Sequence, residues 1–152
     1  MRFIMSYIER IQTDLKKAML SKESDNVRTL RMLIAKLREK KIELKSEPEE
    51  KDEIAVLKKE AKERQDSIET YLRAGRHDLA EQEKQELELI QTYLPEEMGD
   101  EDLVKLITKI VRETGATSPA DMGRVMGAAM NAVAGRADGK RVQTIVKKTL
   151  GV

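Results

Sequence analysis

Seven residues near the C-terminus, Gly135-Arg136-Ala137-Asp138-Gly139-Lys140-Arg141, combine two glycines with three cations where a new helix should open. A helix N-terminus carries unpaired N–H groups and a partial positive charge, and together these accept phosphate. Arg136, Lys140 and Arg141 would add mobile cationic donors, and Lys147 and Lys148 extend the positive surface along the last helix. A structural reading competes with this one. In it Gly135 is a C-cap, Asp138 is an N-cap, and the lysines are ordinary surface. Asp138 would also compete with a phosphate for the same N–H groups. On local chemistry alone the structural reading leads. No aromatic stacking platform lies nearby, so an RNA held here would be gripped by backbone and shape rather than by splayed bases.

Other chemistry has little to work with. His77 is the single histidine and there is no cysteine, which removes histidine pairs, thiolate metal sites and disulfides. His77 lies between Arg76 and Asp78 at a helix start, a place for capping or solvent rather than catalysis. Glu60, Glu63, Glu81 and Glu88 read as solvated surface or as i,i+4 partners of lysines and arginines. No nucleophile elbow, Walker loop or dinucleotide fingerprint is present. Gly123-Arg124-Val125-Met126-Gly127 has the look of a phosphate loop but falls inside an amphipathic helical pattern. There its small residues are expected to permit a close helix crossing. The expectation is no catalytic residue, no metal and no cofactor.

These groups must be positioned by helices. Charged residues make up 38% of the chain and aromatics 3%, and no window alternates apolar and polar residues as a strand would. Ser6 with Glu9 forms a capping box that opens a helix bearing Ile8, Ile11, Leu15 and Met19. The polar break from Ser21 to Asn26 leads to a second helix with Val27, Leu30, Leu33, Ile34, Leu37, Ile42 and Leu44. After Pro48 a third runs from Glu50 to Ala74, with Ile54, Leu57, Ala61, Ile68, Tyr71 and Leu72 facing inward and Gly75 as left-handed C-cap. Asp78 with Glu81 reads as another capping box, opening a helix that carries Leu79, Leu87, Ile90 and Leu94 and stops at Pro95. Three shorter helices follow. The first buries Leu103, Leu106, Ile107 and Ile110 and closes at Gly115. The second opens at Ser118-Pro119, carries Met122, Val125, Met126, Ala129, Met130 and Val133, and ends at Gly135. The third opens at Asp138-Gly139 and faces Val142, Ile145, Val146 and Leu150 inward. Met122, Met126 and Met130 are read as core rather than as a self-association face.

The fold class expected is all-α: long N-terminal helical hairpins in residues 1–97, then a compact three-helix bundle in 98–152. Charge follows that division. Residues 1–99 hold 20 basic and 22 acidic side chains; residues 100–152 hold 9 and 6, and from Arg124 onward the ratio is 6 to 1. Net charge is only +1, so the whole chain carries no global commitment to nucleic acid or membrane. No apolar run approaches the roughly 20 residues that span a bilayer, and a soluble, cytoplasmic protein without membrane partners is expected. The first helical pattern opens at Met5, so residues 1–4 read as an upstream start or overhang.

Asp121-Met122-Gly123-Arg124-Val125-Met126-Gly127, followed by Gly135-Arg136-Ala137-Asp138-Gly139-Lys140, resembles the signature of the YqeY-like family. That signature also occurs in the tail domain of the B subunit of the glutamine-dependent aminoacyl-tRNA amidotransferase. Ser67-Ile68-Glu69, Gly75 to Ala80 and Tyr93-Leu94-Pro95 resemble the same family, so the likeness runs from Met5 to Val152. It implies two all-α modules, the second akin to a tail that contacts tRNA. The catalytic domains of the larger enzyme have no counterpart here. A label of carbon–nitrogen ligase with glutamine as amido-N-donor would therefore be inherited from it. Gly123, Gly127, Gly135, Asp138 and Gly139 match the motif as structural positions. The RNA-facing candidates are Arg124, Arg136, Lys140, Arg141, Lys147 and Lys148. Two readings follow: an accessory module for tRNA or other structured RNA, or an adaptor that docks proteins, among them those of tRNA charging or the amidotransferase.

Overall fold

The computed structural model describes residues 5–151; residues 1–4, read above as an overhang, lie outside it. Among the described residues there are seven α-helices and no strand: the fold is all-α. The helices are α1 (Tyr7–Leu20), α2 (Ser24–Leu44), α3 (Glu50–Arg73), α4 (His77–Gln91), α5 (Asp100–Thr114), α6 (Met122–Val133) and α7 (Gly139–Thr149). They fall into two compact units, Met1–Leu94 and Pro95–Val152.

In the first unit α1 packs chiefly on α2 and α3 on α4, with α2 also meeting α3 and α4. Ile11, Leu30, Leu33, Leu57 and Ile90 are fully buried at its centre. The capping box at Ser6 and Glu9 forms as its spacing predicts. A second cap on α1 comes from far along the chain. Glu53 of α3 is buried, and its Oε2 accepts the Ile8 N–H at 3.1 Å. A carboxylate is favoured at a helix N-terminus, both by the N–H groups and by the dipole.

Burial pushes the Glu53 carboxyl above its ordinary value of 4.5, against the pull of the Ile8 and Tyr7 N–H groups. A carboxyl whose pKa is higher folded than unfolded stabilises most below the unfolded value, and loses that contribution as pH rises through the folded one. Wild type should therefore lose stability relative to a non-titrating Glu53→Gln variant between about pH 4 and pH 7. Urea unfolding of both proteins at the two pH values measures this. A pH-independent difference would contradict it.

Several sequence expectations are corrected. Asp78 and Glu81 make no capping box: α4 begins two residues earlier than that box implies, at His77, with Arg76 at the N-cap position. A Schellman turn sets that start, with Arg76 N–H bonded to Tyr71 O at 2.8 Å and Gly75 N–H to Leu72 O at 3.1 Å. Gly75 supplies the positive φ of 73°. Asp78 is instead held by the Arg76 guanidinium at 3.3 Å, which keeps its carboxyl below the usual range. Ile42, Leu44 and Leu72, expected to face inward, are instead exposed on the last turns of α2 and α3. Helix α4 ends at Gln91, ahead of Pro95, and Leu94 sits in the exit turn. Glu60 is an i,i+4 partner of Arg64, as its spacing predicts, but a buried one and not solvated.

Two tyrosines that the sequence reading did not assign to this core, Tyr7 and Tyr93, tie α1 to the end of α4. The buried Tyr93 hydroxyl donates to Asp14, and Arg10 lies over the rings of Tyr7 and Tyr93 at 5.4 and 5.6 Å.

In the second unit α5, α6 and α7 each pack on the other two. Their core is Leu103, Ile107, Val125, Ala129, Val133, Val142 and Val146, all fully buried. Three acids open α5 and two lysines close α7, each complementing the dipole of its helix. Ser118 and Asp121 form a capping box on a short 3-10 turn, Pro119–Asp121, that leads into α6. Among the described residues no helix is long and apolar enough to cross a membrane.

Candidate nucleic-acid interface

The turn between α6 and α7 is fixed at both ends. Helix α6 stops at Val133, and two successive residues then take positive φ, Ala134 at 47° and Gly135 at 81°. The left-handed cap is thus Ala134, one residue ahead of the expected glycine. A left-handed alanine costs on the order of 1 kcal/mol, and the arginine that follows helps hold it. Arg136 Nε donates to Val133 O at 3.0 Å and Nη2 to Ala132 O at 3.2 Å, covering α6 carbonyls that no helical N–H reaches. The Arg136 carbonyl accepts the Met98 N–H at 2.7 Å. Ala137 is buried beneath the turn.

Asp138 caps α7, its Oδ1 accepting the Arg141 N–H at 2.8 Å. The helix N-terminus that would cradle a phosphate therefore already holds a carboxylate. Arg141 reaches back to the start of α5, where Nη2 donates to Met98 O at 2.9 Å, just ahead of the helix, and to Asp100 Oδ1 at 2.6 Å in its first turn. Arg124 pairs with Asp121 at 3.0 Å. The Thr117 and Ser118 N–H groups draw Asp121 below the usual carboxylate range, aided by Arg124.

The three arginines among the candidate RNA contacts thus each have a partner inside the unit. The three lysines do not. Lys140, Lys147 and Lys148 are exposed and form no ion pair among the described residues. Helical periodicity sets them on one face with Gln143 and Thr144, opposite the buried Val142 and Val146. No acid lies anywhere within α7.

Gly123 and Gly127 correct another expectation. No helix crosses closely there: a Cβ built on either would have no neighbour within 4 Å, and both are exposed. They lie on the outward face of α6 with Arg124 and Asn131. Met130 is on that face too, 38% exposed, so only Met122 and Met126 pack against the core as read. Glycine in an exposed helix interior costs about 1 kcal/mol relative to alanine. Gly123→Ala and Gly127→Ala should each stabilise the unit by about 0.5–1 kcal/mol, read as a raised urea midpoint. Destabilisation by either would show a neighbour that this packing lacks.

His77 is exposed in the first unit, and among the described residues no group of three or more His, Asp or Glu side chains is placed to hold a metal ion. The tether from Arg141 to Met98 and Asp100 had no signal in the sequence, because its ends lie 43 and 41 residues apart.

The family model for YqeY-like proteins matches residues 8–150, almost the whole described chain. This chain belongs to the YqeY-like family. Among relatives of this YqeY-like chain is the protein named "altered inheritance of mitochondria protein 41, mitochondrial" from Vanderwaltozyma polyspora. It is 39% identical over 93 residues, 60% of this chain and 50% of that protein. The protein of the same name from Eremothecium gossypii is 36% identical over 90 residues, 57% of this chain and 48% of its own length. The one from Pyrenophora tritici-repentis is 30% identical over 149 residues, 95% of this chain and 81% of that protein. The matched part spans about half the length of the first two relatives.

Proposed function

We propose that this YqeY-like chain is an accessory module that holds tRNA or another structured RNA by its phosphate backbone, through the outer face of α7. The observation that carries the reading is the set Lys140, Lys147 and Lys148, exposed on an acid-free helix and without ion partners among the described residues. Phosphate contacts of this kind position a nucleic acid without reading its bases, which suits a surface with no aromatic side chain. The resemblance to the amidotransferase tail supplies tRNA as the first ligand to try, and tRNA-charging or amidotransferase proteins as the company it would keep. Any carbon–nitrogen ligase chemistry then belongs to other subunits. The relatives' names place those proteins in mitochondria; the cytoplasmic expectation for this chain rests on its sequence alone.

Arg136 and Arg141 take a different part in this reading: they shape the turn that presents α7. A test must separate the two roles. In filter binding to total tRNA, Lys140→Ala/Lys147→Ala/Lys148→Ala should weaken binding at least tenfold with helicity and urea midpoint unchanged. Arg136→Ala/Arg141→Ala should lower the urea midpoint first. A lysine variant that binds as tightly as wild type would sink the α7 assignment.

The adaptor reading is favoured by a separate observation, a basic-rimmed apolar groove on α1 and α2.

A further inference from the structure

Helices α1 and α2 leave a groove on one side of their hairpin. Its floor is the half-buried Leu15, the half-exposed Met19, the buried Ile34 and the exposed Ala35. These residues sit on two matching stripes, i and i+4 on α1 and i and i+1 on α2, bounded by Arg31 and Arg38 one turn to either side. The groove encloses about 670 Å³. At the Met19 end it runs on into a second hollow beside Val27 and Lys22, with Met19 and Arg31 common to both.

Its rim has one sign of charge. Lys16, Lys22, Arg31 and Arg38 are exposed, and none forms an ion pair among the described residues. Only Arg28, at the far end, is neutralised, by Asp25 at 2.7 Å. Elsewhere on α2 and α3 several lysines are paired with acids, for example Lys36 with Glu39, Lys40 with Glu43 and Lys62 with Asp66. Around the groove four unpaired cations converge on one apolar floor.

An apolar floor between cationic edges fits an amphipathic helix with an apolar stripe and acidic flanks. We propose that this groove docks such a helix from a partner protein. A nucleic acid fits it less well: phosphates could use the rim, but Leu15, Met19, Ile34 and Ala35 would lie under them unmatched, and no aromatic side chain is there to stack a base. A second copy of this chain does not supply the occupant. Its most acidic helix, α4, already turns Ala80 and Ile90 into its own core.

The inference is independent of the α7 reading, and the test keeps them apart. The probe is a fluorescein-labelled, helix-stapled 16-residue peptide with leucines at i, i+3, i+4 and i+7 and glutamates on both flanks. Its control replaces every glutamate by lysine. In anisotropy titrations the full chain should bind the glutamate peptide roughly tenfold or more tightly than the lysine peptide. The preference should invert in Lys16→Glu/Arg31→Glu/Arg38→Glu, whose exposed positions leave the fold intact by circular dichroism. Met19→Glu should weaken the glutamate peptide with the rim in place. Equal binding of the two peptides would overturn the proposal, as would a charge-reversed variant that keeps the original preference. So would a dimer in sedimentation that Met19→Glu dissolves, or tRNA binding lost in the rim variant and retained in the α7 lysine variant.

Discussion

Replacing Arg64 by methionine should cost the first helical unit about 3–5 kcal/mol, because it leaves a buried carboxylate without its cation. Arg64 Nη1 sits 2.6 Å from Glu60 Oε2, with the two side chains only 14% and 4% exposed. Its Nε lies 3.6 Å from Glu86 of α4, and Nη2 lies 3.6 Å from the Met32 sulfur of α2. One guanidinium on α3 therefore serves both neighbouring helices. Glu83 of α4 belongs to the same group: burial raises its carboxyl and Glu86 raises it further, while Arg64 lowers it. Without Arg64 these acids face one another across a dry contact. The companion Arg64→Met/Glu60→Met should recover the part of the loss due to Glu60, since apolar residues of similar volume replace a buried pair at little cost. Glu83 and Glu86 still lack the guanidinium in that variant. Urea midpoints of wild type, both single variants and the double variant complete the cycle. A loss under about 1 kcal/mol for Arg64→Met would place the cluster in effective contact with water.

The second large effect is expected at Ile107. This side chain is fully buried where α5 meets α6 and α7, in a unit with a core of few large residues. Ile107→Ala removes buried methyl groups and leaves a cavity, a loss of about 2–5 kcal/mol. A small unit has little stability to spare, so the C-terminal helices should unfold well below the wild-type midpoint. Binding to tRNA should fall with that unfolding, because α7 presents its lysines only while Val142 and Val146 are packed. The contrast with the lysine variant, which should lose binding and keep its helices, separates display from contact. An Ile107→Ala protein with a wild-type midpoint would show that the three-helix core is not what holds α7 in place.

Much of this architecture could be read before any coordinates. Capping at Ser6 and Asp138, the left-handed glycines 75 and 115, and the stripe Leu103, Ile107, Ile110 depend only on neighbours within a turn or two. Local rules suffice there. The misses share a different cause. Glu53 caps a helix 45 residues away, Arg141 ties a segment 41 residues away, and Arg64 is buried by helices on two sides. In a chain with 38% charged residues, spacing cannot say which few charges another element will cover. Gly123 and Gly127 failed for the converse reason: small residues promised a close neighbour, and none was there.

The candidate site was legible as a basic region but not in its division of labour. Six cations were grouped together by sequence. Packing assigns Arg124, Arg136 and Arg141 to Asp121, to the end of α6 and to the start of α5, and leaves three lysines facing outward. Distance along the chain carries no trace of that difference, because it depends on where Met98 and Asp100 come to rest.

The claim that α7 grips phosphates is tested most directly by the salt dependence of tRNA binding to the full chain. Three phosphate contacts predict an affinity that falls roughly 20–40-fold between 50 and 200 mM monovalent salt. The slope should become shallower by about one for each lysine removed among Lys140, Lys147 and Lys148. Binding that is indifferent to salt, or a slope unchanged in the triple lysine variant, would contradict the account.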